Sequence, residues 1–218
     1  MHIGFPALGI FLLICIGLTA RYRFTGRKYE HATDEFWRRE LNGDLSVRRD
    51  VNLEELPYLK VPLSQFPSDE ALLNDEVYMD LLEQIRALAD KRMLNLTEKT
   101  NTDLKLEYGR NHLEEMQKIG ENFDALTVLL VSVAKRLVEL SRYEDAVTVL
   151  EYGVKIGTDI STNYTLLGDC YANLGTTHKI PRLIETVEAT DMVMKSAILT
   201  HLRPLLPENR ETEDFDVE

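Results

Sequence analysis

The sequence predicts an all-α protein: a short α-solenoid of antiparallel helix pairs, preceded by a single N-terminal transmembrane helix. Three observations carry this expectation. Residues 3–20 hold no charged side chain. From Asp69 onward apolar residues recur at helical spacing. Similar residues also recur 34 positions apart in the second half of the chain.

The chain begins MHIGFPALGIFLLICIGLTARYRFTGRK. Eighteen uncharged residues make roughly 27 Å of helix, close to the ~30 Å of a bilayer core. Ten strongly apolar side chains between Ile3 and Leu18 favour insertion by about 3–6 kcal/mol, which outweighs Pro6 and the glycines. A cleaved signal peptide would want positive charge before the apolar run, and none is there. Bulky Ile14 before Cys15 argues against a lipoprotein site. Arg21, Arg23, Arg27 and Lys28 follow the run instead. The expected arrangement is a single-pass anchor in the cell membrane, with the N-terminus outside and the body cytoplasmic. In that orientation the N-x-T sequons at Asn95 and Asn163 have no role.

Residues 21–68 form the expected juxtamembrane helix and proline-containing linker. Trp37 beside Arg38 and Arg39 suits a helix lying at anionic headgroups. Interspersed Asp34, Glu35, Glu40 and Asp44 suit a solvated helix instead. Pro57, Pro62 and Pro67 predict extended chain. The apolar residues between them belong against the body, either as packing or, over 56–67, as an intramolecular occupant of a ligand groove.

Residues 69–205 read as the helical domain. Val77, Leu81, Ile85 and Leu88 mark one stripe, with Asn74 as N-cap. Asn101–Asp103 start a second helix that ends near Gly120. A third, through FDALTVLLVSVAKRLVEL, is apolar over most of its circumference and therefore central.

This third helix and the stretch NYTLLGDCYANLG correspond at an offset of 34 residues. Ala134 aligns with Gly168, Leu137 with Tyr171, Val133 with Leu167 and Ser141 with Gly175. Small residues at Ala134, Ala146, Gly153 and Gly168 let helices approach, while Leu150, Leu167 and Tyr171 fill the seam. The spacing and the start Tyr143-Glu144-Asp145-Ala146 resemble the tetratricopeptide repeat (TPR) family, most strongly over residues 124–175. On the same frame bulky Ile180 and Val187 replace Ala146 and Gly153. Pro181 suits a helix that begins later than the frame predicts. Residues 206–218, with PENRETEDFDVE at their end, are acidic and expected to lack fixed structure.

The resemblance implies a protein or peptide partner held in the groove of the first helices. The groove-facing residues would be Val128, Val131, Lys135, Thr162, Thr165, Asp169 and Asn173. Lys135 alone, with Asp169 opposed, does not match the carboxylate clamp of some family members. The resulting expectation is a membrane-tethered interaction scaffold or adaptor. The alternative is an exported or envelope-facing repeat protein with a cleaved leader, acting in assembly of surface complexes.

Composition narrows the other classes. The net charge of -12 leaves no basic face for phosphate, so nucleic acid is not an expected partner. The five histidines are scattered without ligand spacing. No phosphate loop, nucleophile elbow or paired-carboxylate motif occurs. No catalytic residue, metal or cofactor is therefore expected. Cys15 and Cys170 suggest no disulfide framework, and Cys170 reads as a small buried apolar residue.

Overall fold

The structure is a computed structural model that describes residues 34–43 and 51–206, and there it is all-helical. Nine α-helices and no strand occur among the described residues: α1 (34–43), α2 (Glu70–Leu73), α3 (Glu76–Ala89), α4 (Asn101–Tyr108), α5 (Leu113–Glu139), α6 (Tyr143–Lys155), α7 (Ser161–Asn173), α8 (Ile180–Ala189) and α9 (Lys195–Leu202). None of these helices is long and apolar enough to cross a membrane. The expected span at residues 3–20 and the tail at 207–218 lie outside the described residues.

The contacts divide the chain into two units. In the smaller one α1 runs against α4. Glu40 is held by Lys105 and by the Thr102 hydroxyl, and Arg39 pairs with Asp103. Phe36 and Trp37 meet edge to face at 5.6 Å and are both largely exposed. α4 starts with a reciprocal capping box, the Thr100 hydroxyl accepting from the Asp103 amide and the Asp103 carboxylate accepting from the Thr100 amide. Sequence reading put the cap within Asn101–Asp103, just after it. Gly109 ends α4 at φ 91°, a backbone state that costs glycine nothing.

The larger unit holds residues 52–98 and 115–206. Asp69 caps α2, Asn74 closes it, and Asp75, not the expected Asn74, caps α3 through the Tyr78 amide at 2.8 Å. The buried stripe of α3 is Tyr78, Leu82, Ile85 and Leu88, while the expected Val77 is 54% exposed. Tyr78 turns the helix: its ring is fully buried and its hydroxyl donates to the Pro67 carbonyl at 2.5 Å. The larger aromatic face wins over the valine.

α5 runs unbroken through Gly120, where the sequence suggested an end. Met116, Ile119 and Phe123 are buried at helical spacing, and their packing outweighs the ~1 kcal/mol cost of an interior glycine. Further along, Leu126, Leu130, Val133, Ala134 and Leu137 complete the buried face.

The segment around the three prolines is extended apart from two short 3-10 turns, Leu53–Glu55 and Leu63–Gln65. The Leu59 amide donates to the Met93 carbonyl at 2.9 Å. The Tyr152 hydroxyl of α6 reaches the Lys60 carbonyl at 3.4 Å, and Phe66 lies edge to face with the Tyr152 ring.

From α5 onward the repeat spacing is visible in the helix boundaries. α7 begins at Ser161 and α9 at Lys195, 34 residues on. Tyr143 begins α6; its counterpart Thr177 begins a 3-10 turn, and α8 follows at Ile180 with Pro181 in its first turn. The closures repeat as well. After α5, Ser141 stands at φ 58°, and after α7, Gly175 stands at φ 68°. In both, an amide returns to a carbonyl five residues back: Arg142 to Leu137 at 2.8 Å and Thr176 to Tyr171 at 2.9 Å.

The α6–α7 seam is tight because Gly153 has no side chain. The Asn163 amide occupies the place a Cβ would take there. Its Nδ2 donates to the Leu150 carbonyl at 3.0 Å, and its Oδ1 is buried without a hydrogen-bond partner among the described residues. Gly168 does the same for α9: Leu202 fills the space in front of it.

Candidate functional site

The seven residues expected to face a groove lie on two helices. On α5, Val128 is 55% exposed, Lys135 is exposed and Val131 is buried. On α7, Thr162, Thr165 and Asp169 are half-buried and Asn173 is exposed. Asn173 Nδ2 donates to the Asp169 carbonyl one turn back at 2.8 Å, and the Thr165 hydroxyl donates to the Thr162 carbonyl at 3.4 Å. The Asp169 carboxylate is engaged by His201 of α9 at 2.8 Å. The side of α7 that carries Gly168 and Asp169 therefore meets the chain's own last helix. The polar and ring contacts of the proline segment with the body go to Tyr78 of α3, Arg92, Met93 and Tyr152 of α6, and among the described residues none goes to these seven.

The adjoining side of α7, with Leu167 and Tyr171, faces a cleft of about 690 Å³ between α6 and α8. Leu167 and Tyr171 of α7 form its floor, flanked by Val154 of α6 and Leu183 of α8. Its rim is cationic: Lys155, Lys179 and Arg182, with His178 beside them, against one carboxylate, Glu151. Glu151 accepts both from the Tyr171 hydroxyl at 2.8 Å and from Lys179 at 3.0 Å. The Lys179 ammonium also lies 5.2 Å from the centre of the Tyr171 ring. Burial, then the Glu151 carboxylate, pushes the Tyr171 phenol well above its ordinary value, so it remains a hydrogen-bond donor at neutral pH. Lys155 and Arg182 form no ion pair among the described residues and face solvent.

Such a rim stands out in a chain with 37 acidic and 25 basic side chains. Sequence reading missed it because its cations come from the end of α6, the 3-10 turn at Thr177–Lys179 and the first turn of α8. The one available signal was the cluster His178, Lys179 and Arg182 around Pro181 in an otherwise acidic body.

Two further side chains carry groups able to do chemistry, Cys170 and His112. Cys170 is buried on α7, and burial, with Asp169 next to it, pushes its thiol up to about 11, which removes the reactive thiolate at neutral pH. His112 lies half-buried in the 3-10 turn Arg110–His112. Among the described residues no group of three or more His, Cys, Asp or Glu side chains could hold a metal ion. What the cleft offers chemically is recognition: an apolar floor, a ring edge and clustered positive charge.

Compared with known proteins, the chain matches no family model, no curated protein and no solved structure.

Proposed function

We propose that this chain is a non-catalytic protein-interaction scaffold, tethered to a membrane by residues 3–20, whose TPR-like helical body holds a peptide segment of a partner. The observation that carries the reading is the cleft between α6 and α8, open to solvent and large enough for a few side chains. The 34-residue recurrence of helix starts, together with the matching left-handed closures at Ser141 and Gly175, supports the TPR-like description. The α6–α8 cleft, rather than the row Thr162, Thr165, Asp169 and Asn173, is the better candidate for partner contact. Part of that row is engaged by α9.

A peptide in the cleft would gain from apolar contact with half-buried Val154 and the exposed edge of Tyr171, and from charge pairing at the rim. The basic residues after Ala20 support a cytoplasmic body by the positive-inside argument. Affinity capture with the detergent-solubilised full chain, wild type against K155E/R182E at the exposed rim, tests the binding reading. Partners retained equally by both proteins would sink the cleft as the site. Protease digestion of intact cells tests the tether. A body cut from outside, or a mature chain that begins after Ala20, would replace the cytoplasmic scaffold with an exported protein.

A further inference from the structure

We propose that the α6–α8 cleft recognises an acidic segment carrying an apolar side chain, and that its occupant is this chain's own residues 207–218. The inference rests on the reading of the body as a peptide-binding scaffold and names the segment that competes for its site. Three solvent-facing cations surround an apolar floor, with a single carboxylate among them that is already bonded to Tyr171 and Lys179. Any complementary ligand is therefore rich in carboxylates and has at least one apolar group to place against Val154 and the edge of Tyr171.

Residues 207–218 read PENRETEDFDVE: six carboxylates, one arginine, and Phe215 and Val217 among the last acids. Phe215 between Asp214 and Asp216 has the form the cleft demands, a ring for the floor flanked by charges for the rim. Reach is not limiting. The segment starts directly after Leu206, which packs on the same core as Leu167 and Leu183. Twelve residues span up to about 40 Å when extended, well beyond the ~15 Å radius of gyration of a compact body of about 150 residues.

Attachment strengthens a weak contact. A short tether gives an effective concentration on the order of 1 mM. A segment with an intrinsic Kd of about 0.1 mM would then occupy its cleft roughly nine-tenths of the time, and a partner would have to displace it. The scaffold would thus carry its own competitor, released only by a ligand with more carboxylates or a better apolar anchor.

The test is a titration with a fluorescent synthetic peptide of residues 207–218 into detergent-solubilised protein. The expected result is binding to a chain that ends at Leu206, and binding about tenfold weaker to the full chain. An E211Q/E213Q/D214N/D216N full chain should bind the peptide as the shortened one does. On the shortened chain, K155E/R182E should weaken binding at least tenfold while circular dichroism stays unchanged, both side chains being exposed. Equal binding to the full and shortened chains overturns the assignment of the tail, as does binding indifferent to K155E/R182E. An unrelated acidic peptide with one phenylalanine separates the two readings. If it binds in a K155E/R182E-sensitive way and residues 207–218 do not, the tail assignment falls and the scaffold reading stands. If neither peptide binds, both fall.

Discussion

Replacing Gly153 with alanine places one methyl group where the Asn163 amide now sits. The added Cβ would overlap Oδ1 of Asn163 and crowd the amide's other atoms. Asn163 is fully buried between α6 and α7, so the amide has no solvent to retreat into. Overpacking of this kind costs about 1–3 kcal/mol. A displaced amide also loses its bond to the Leu150 carbonyl, worth about 1 kcal/mol. Alanine's better helix propensity returns about 1 kcal/mol. The net expectation is a loss of about 1–3 kcal/mol, or a fall in Tm of roughly 3–10 °C for a chain of this size. Thermal and urea unfolding followed by far-UV circular dichroism measure it. The decisive arm is the double variant G153A/N163A. Without the amide the methyl has room, so the cost of G153A should shrink by at least about 1 kcal/mol in the N163A background. A G153A protein that melts at or above wild type would refute the steric argument. So would an identical cost in both backgrounds.

Other expectations follow from the same geometry. Ser141 holds a left-handed backbone at φ 58° that Gly175 adopts at the equivalent position, so Ser141→Gly should stabilise by about 1 kcal/mol in urea unfolding. Leu202→Ala opens a cavity in front of Gly168 and should cost about 2–5 kcal/mol, with hydrogen exchange of α9 and α7 rising together. Thr100→Ala removes half of the α4 capping box and should cost about 1 kcal/mol, with faster amide exchange at Asp103. At alkaline pH, burial holds the Tyr78 and Tyr152 phenols up to about 12, from 10.0, and the Cys170 thiol up to about 11, from 9.0. The unfolded chain therefore releases these protons first. Stability should be intact below pH 9, decline above it and be lost toward pH 12. A urea midpoint that rises between pH 9 and 11 would contradict the burial of these groups.

Much of the larger unit was legible because a small residue within an apolar helical stripe marks a place where another helix comes close. Gly153 and Gly168 pointed to close approaches, and both occur. The identity of what approaches was not legible, since Asn163 and Leu202 are brought there by the fold and not by spacing. Pattern reading failed where two apolar stripes competed, as with Val77 and Tyr78, because periodicity counts residues and packing weighs their area. It failed again at Gly120, where flanking burial overrode a helix-breaking tendency. The capping positions slipped at Asn74 and Thr100, each time within a run of good capping side chains. The cleft escaped because charge averaged over the sequence hides a local concentration built from three elements.

The buried amide at Asn163 also couples the fold to the route by which the chain is made. Asn163-Tyr164-Thr165 is a glycan acceptor sequence, yet the acceptor nitrogen lies within the α6–α7 seam and is bonded to Leu150. In a compartment that attaches glycans, two events would compete for that one nitrogen: sugar transfer and closure of α6 on α7. A transferred sugar could not be accommodated in the seam, and a closed seam could not be modified. A chain redirected into such a compartment would therefore be sorted by timing, with each molecule committed to one outcome. The mass of a single tryptic fragment containing Asn163 would report how quickly the two helices had met.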